Sequence, residues 1–168
     1  MRRFLLGTVA LIAFLAADTT AASAGNSALV YQYGYRNSGT FEQHGRYNRG
    51  TMRQDGEYNY SHAMQRGYWN YLYQQQLGNR NAAMTDQYGE NNYAVTGQQG
   101  RDNQAATYQT GRYNTAGIAQ IGSNHRALVD QYGRNNTTAV IQVGNGQRAE
   151  AHQSGDGNTG VIIQGGDD

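Results

Sequence analysis

The sequence has no cysteine, no proline and, among its basic residues, no lysine. Without cysteine there is no disulfide framework, no thiolate metal site and no thiol nucleophile. Without proline and lysine it lacks two devices by which sheet proteins protect exposed strand edges. Leu, Ile, Val and Phe are scarce, which argues against a conventional core of large aliphatic side chains. Charged residues make up 15% of the chain and the formal net charge is +1, so there is no electrostatic basis for binding nucleic acid or an acidic membrane surface. No helical periodicity is visible after residue 25. What is present in quantity is Gly, with 23 residues, and Tyr, with 14. Disordered chains combine low hydrophobicity with high net charge and few aromatics, and this chain has neither of those two features.

Residues 1–24 differ from the rest. Arg2 and Arg3 are followed by an almost wholly apolar run from Phe4 to Ala17, then by the small residues Ala22, Ser23 and Ala24. This is the pattern of a secretory signal, too short for a lasting membrane span, and it predicts cleavage after Ala24. Loss of Arg2, Arg3 and Asp18 leaves equal numbers of acidic and basic residues in 25–168. An exported chain without cysteine needs some means other than cross-linking to hold it together.

The repeat supplies one. Gln occurs at an unbroken spacing of 11, as Gln32, Gln43, Gln54, Gln65, Gln76, Gln87, Gln98, Gln109, Gln120, Gln131, Gln142, Gln153 and Gln164. Each is followed two residues later by glycine: Gly34, Gly45, Gly56, Gly67, Gly78, Gly89, Gly100, Gly111, Gly122, Gly133, Gly144, Gly155 and Gly166. Six residues before the glutamines lie Asn26, Asn37, Asn48, Asn59, Asn70, Asn81, Asn92, Asn103, Asn114, Asn136 and Asn158, with His125 and Gln147 in the two remaining places. A frame without insertions implies one geometry per unit.

Within a unit, Asn, the second residue after it, the fourth and Gln share one parity and so line one face of a strand. The second place is mostly small, as at Ala28, Gly39 and Ser61; the fourth is apolar early (Val30, Phe41, Met52) and late (Ile118, Val129, Val140, Ile162). The opposite parity carries Tyr, Arg, Asp, Glu and His, for example Arg53, Asp86, Asp130 and Arg148. The glycine two after Gln marks the turn, because glycine adopts positive φ cheaply. A strand of about seven residues and a turn of about four make half a rung. The expected fold is therefore all-β: a β-solenoid or cross-β stack of 22-residue strand-turn-strand rungs built from thirteen half-repeats, disordered before assembly. Stacking places Gln over Gln and Asn over Asn, so that their amides bond along the stack and satisfy one another. With no cap, proline or lysine to blunt its two ends, such a stack favours addition of another copy.

The run Gln87-Tyr88-Gly89-Glu90-Asn91-Asn92-Tyr93-Ala94, and its counterparts at Gln76 to Ala83, Gln98 to Ala105 and Gln109 to Ala116, resemble the curlin repeat. The resemblance covers residues 26–166. It implies export in unfolded form across the bacterial outer membrane, through the periplasm to the extracellular cell surface. There, by the same resemblance, such chains assemble into amyloid fibres of the biofilm matrix that support adhesion and cell aggregation. The implied partners are further copies of the chain, a second curlin-type subunit, major or nucleating, and an outer-membrane export pore. The sequence departs from the usual curlin pattern in its thirteen units, in Leu72 at a normally small place, and in His125 and Gln147.

No enzymatic constellation is visible. His44, His62, His125 and His152 occupy four different places of the repeat and do not align as metal ligands. The carboxylates are scattered along the outward parity among arginines, the pattern of a solvated face rather than a general-acid pair. No metal, cofactor or nucleic-acid partner is expected. Two other classes stay open: a monomeric secreted β-solenoid that binds a surface or carbohydrate, and a disordered adhesive matrix polymer.

Overall fold

The computed structural model describes residues 25–166. The proposed signal segment and its cleavage after Ala24 lie outside the described residues. The alternation of parity along each unit produces thirteen strands: β1 Ser27–Tyr35, β2 Ser38–Arg46, β3 Arg49–Glu57, β4 Tyr60–Tyr68, β5 Tyr71–Asn79, β6 Ala82–Glu90, β7 Tyr93–Arg101, β8 Gln104–Arg112, β9 Thr115–Ser123, β10 Arg126–Arg134, β11 Thr137–Asn145, β12 Arg148–Asp156 and β13 Thr159–Gly166. The odd-numbered strands form one seven-stranded parallel sheet and the even-numbered strands a six-stranded one. Each strand pairs with the strand two further on, in register, as in Gln32 with Gln54 and Gln43 with Gln65. The chain is a β-solenoid with a 22-residue rung, as the repeat implies.

The strands are longer and the bends shorter than the sequence reading supposed. Twelve of the strands have nine residues, and only two residues separate one strand from the next. The glycine lies inside the strand, not beyond it. At Gly67, φ is +117°, and a Cβ there would run into the carbonyl oxygen of Gly89 in the adjacent rung. Two requirements therefore coincide at this column: a left-handed backbone, and close approach of one rung to the next. The chain turns at a second left-handed residue just before each Asn. These include Arg36 (φ 53°), Tyr58 (φ 57°) and Trp69 (φ 59°), side chains for which that conformation costs about 1–2 kcal/mol. A backbone bond offsets the cost: Tyr58 N–H donates to the Tyr35 carbonyl at 2.9 Å and Trp69 N–H to that of Arg46 at 3.2 Å.

The interior is layered along the stack. Phe41, Met52, Ala63 and Leu72 form one buried apolar cluster, with Ala28 and Val30 packed against it. Ala105, Ala116, Ile118, Ala127, Val129, Val140 and Ala149 form another, extended by Ala151 and Ile162. Leu72 is fully buried, and Phe41 fits because the facing place is Gly50, where a side chain would collide with the ring. Between the clusters the interior is polar: Ser61 Oγ donates to Gln74 Oε1 at 2.6 Å, and Gln74 Nε2 donates to Thr85 Oγ1 at 2.8 Å. The buried hydroxyls of Thr96 and Thr107 have no partner.

Candidate functional site

The residues singled out by the repeat converge in two kinds of ladder. In each sheet every glutamine of the column donates from Nε2 to Oε1 of the glutamine 22 residues later, at 2.6–2.9 Å, without a break from Gln32 and Gln43 to Gln153 and Gln164. The second Nε2 hydrogen does something that one-dimensional reasoning missed. It bonds a backbone carbonyl 16 residues earlier, in the opposite sheet, as Gln54 does to Ser38 at 3.0 Å and Gln98 to Ala82 at 2.9 Å. From Gln43 to Gln142, each glutamine thus joins its own rung to the next and its own sheet to the other. Both donors of a buried amide are satisfied, which removes a burial cost of about 1–3 kcal/mol per orphaned group.

The asparagines run the other way. Asn81 Nδ2 donates to Asn59 Oδ1, 22 residues earlier, at 3.1 Å, and the same oxygen accepts the Asn81 backbone N–H at 3.0 Å. Asn81 Nδ2 also reaches the carbonyl of Gly100, 19 residues later, in the opposite sheet, at 3.0 Å. The glycine column thus exposes its carbonyls to the asparagine column. This explains why the repeat fixes Asn, Gln and Gly together.

The two substitutes in the asparagine column are accommodated. His125 is buried and its backbone N–H donates to Asn103 Oδ1 at 3.1 Å. Its Nδ1 accepts the Gln147 N–H at 3.3 Å, and Nε2 lies 3.1 Å from the Ile121 carbonyl. A carbonyl only accepts, so Nε2 carries the proton and Nδ1 stands in for an asparagine oxygen. Gln147 reaches the Gly166 carbonyl from Nε2 at 2.7 Å, but its Oε1 is buried without a partner.

The outward parity holds the charges, many of them paired between adjacent rungs or along a strand. Arg80 meets Asp102 at 2.7 Å, Arg134 meets Asp156 at 3.3 Å and Arg148 meets Glu150 at 2.6 Å. The hydrogen bond from Arg80 holds the Asp102 carboxyl below its ordinary range, and Arg148 does the same for Glu150. Asp86 is not the solvated residue expected of this face. Only 19% of its side chain is exposed, its Oδ1 accepts no hydrogen bond, and His62 Nε2 lies 3.8 Å from that oxygen. Burial pushes its carboxyl above the ordinary range, against the lowering pull of His62 and Arg66. Aromatic residues also stack along the rungs, with Tyr71 over Tyr93 at 4.9 Å and Tyr47 over Trp69 at 4.3 Å. Of the four histidines, only His125 faces inward. Among the described residues no group of three or more His, Asp or Glu side chains is placed to hold a metal ion.

The family model for the Curlin associated repeat matches residues 24–56, 78–106 and 100–133. The chain belongs to this family. No curated protein and no solved structure matches it. The curlin repeats and the unbroken ladders coincide, because the residues that define the repeat are those that make the bonds between rungs. At both ends of the curlin stack the ladders stop in mid-pattern. Among the described residues nothing pairs with the outer edges of β1 and β2 or of β12 and β13.

Proposed function

We propose that this chain is a structural, non-enzymatic subunit that polymerises into extracellular amyloid fibres of the curli type, adding rung to rung. In this role it contributes to the biofilm matrix, to surface adhesion and to cell aggregation. The observation that carries the reading is that, among the described residues, the ladders are left open at both ends. The glutamine ladder donates in one direction along the stack and the asparagine ladder in the other, so one end offers what the other needs. An unprotected strand edge is a template for further strands, and amide ladders stabilise the resulting stack.

The chain is exported after loss of residues 1–24, crosses the outer membrane through a pore while unfolded, and folds as it joins a growing end. A second curlin-type subunit is the natural starter for that end. Freshly desalted exported protein tests the reading. Circular dichroism and sedimentation, followed together for hours, should show coil giving way to β structure after a lag, with sedimentable mass appearing in step. Chelator should leave the rate unchanged. Immediate β signal at constant monomeric size would point instead to a solitary surface-binding solenoid, and lasting coil to a disordered matrix polymer.

A further inference from the structure

The described residues form an odd number of strands, thirteen. The coil begins with β1 in the seven-stranded sheet and ends with β13 in that same sheet, so the six-stranded sheet is one strand short. Resting on the reading of the chain as a polymerising subunit, we propose that successive copies join across the sheets. The six-stranded sheet of one copy continues, through β1 of the next, as that copy's seven-stranded sheet. Neighbouring copies are then related by a half-turn about the stacking axis as well as by a translation.

Three incomplete bonding patterns at the ends carry this. Gln147 Oε1 is buried and unpartnered. Elsewhere in its column that oxygen accepts from the residue 22 places on, as Asn136 Oδ1 does from Asn158. Counting on along the coil, the place over Gln147 falls to Asn26 of the next copy. Among the described residues Gln32 donates to Gln54 but makes no bond to the opposite sheet like that of Gln43 to Ser27. In the continued coil its spare hydrogen meets the carbonyl of Thr159. Asn158 lacks the glycine carbonyl that Asn136 finds at Gly155. The continued coil supplies Gly34 of the next copy. All three contacts come from one segment of the incoming copy, Asn26 and the β1 that follows it, placed beside β12.

Joining like sheet to like sheet fails on the same count. With β1 set upon β13, the place beside β12 stays empty by one strand. Gln147 Oε1 then remains buried without a donor at every junction, and a row of β12 backbone groups goes unpaired. The cross-sheet junction also meets no charge conflict. It sets Leu29 beside Glu150 and Tyr31 beside His152 on the outside, and Phe41 beside Ile162 within.

Because the chain has no cysteine of its own, single cysteines read the junction directly. Neighbouring in-register strands place equivalent Cα atoms roughly 4.8 Å apart, inside the span a disulfide bridges. Fibres grown from equal parts of Leu29→Cys and Glu150→Cys protein, and of Thr40→Cys and Val161→Cys protein, should give disulfide dimers in high yield on oxidation. The mixture of Leu29→Cys with Val161→Cys should give only background. High yield for the 29–161 mixture and background for the other two would overturn the proposal, as would background in all three when fibres have formed. Absence of fibres from the unmodified protein would instead count against the polymer reading itself. Helical reconstruction of unmodified fibres provides a check free of substitutions. The half-turn junction gives six and a half rungs per copy, a rise of about 31 Å with a rotation near 180° plus the twist; the like-to-like junction gives seven rungs, about 34 Å, with no half-turn.

Discussion

Two glutamines one residue apart in β7 are held in opposite ways. Gln98 points inward, is buried, accepts from Gln76, and donates to Gln120 and to the Ala82 carbonyl. Gln99 points outward and is exposed. Two glycines of the same strand differ as sharply. Gly97 faces open space, whereas Gly100 has φ +117° and meets the backbone of Gly122. The inner Gln column and the Gly column are invariant along the stack, and the Asn column varies only at His125 and Gln147. The outer columns change from rung to rung, passing from Tyr and Arg near β1 to Val161 and Ile163 at β13. The lesson is that the curlin fold is specified by one face of each strand and by the bend. The other face is free to vary its chemistry.

The glycine pair gives the sharpest way to break that comparison. Gly100→Ala should lower stability by roughly 4 kcal/mol, from the strained backbone and the clash with the next rung. Gly97→Ala should change it by less than about 1 kcal/mol, toward greater stability. The guanidinium concentration that dissolves assembled protein is the measure. Equal effects from the two would refute the assignment of faces.

The glutamine pair comes next. Gln98→Ala opens a cavity and strands both Gln76 Nε2–H and the Ala82 carbonyl, so a loss of roughly 3 kcal/mol is expected on the same scale. Gln99→Ala should stay within about 0.5 kcal/mol.

Two smaller effects sharpen the comparison by testing where each face departs from its own rule. Thr96 faces inward with an unpartnered hydroxyl, so Thr96→Val should raise stability by about 1 kcal/mol. Asp86 faces outward yet is largely covered, and its carboxyl is raised from an ordinary value of 3.8. The folded state therefore holds this proton more tightly than the unfolded state does. Asp86 adds to stability most fully below pH 3.8, and that contribution is lost as pH rises through the raised folded value. Asp86→Asn should accordingly stabilise the fold slightly at neutral pH and make no difference below pH 3.8. A variant that is less stable than its parent at neutral pH would contradict the burial argument.

Much of this was legible in the sequence because the interior bonds are made between identical residues at a fixed spacing. The 22-residue rung, the inward parity, the split apolar core and the stacking of Gln, Asn and Gly all follow from the spacing alone. The bend was less legible. Its second left-handed residue is Tyr, Trp or Arg at several places, types that give no hint of that conformation. Asn91, Asn124, Asn135, Gly146 and Gly157 at the same place were the available signal. The bonds from each glutamine to the opposite sheet could not be found by counting parity, because parity assigns a face but not a partner across the core. Asp86 was misplaced for a related reason: facing outward is a property of the strand, whereas exposure depends on the neighbouring rungs.

Fibre diffraction tests the central claim most directly: that rungs continue from one copy to the next as they do within one. Washed, aligned fibres of the exported protein should give a meridional reflection near 4.7 Å, from strands stacked along the fibre, and an equatorial one near 10 Å, from the two facing sheets. Sedimented material that lacked both reflections would contradict the account.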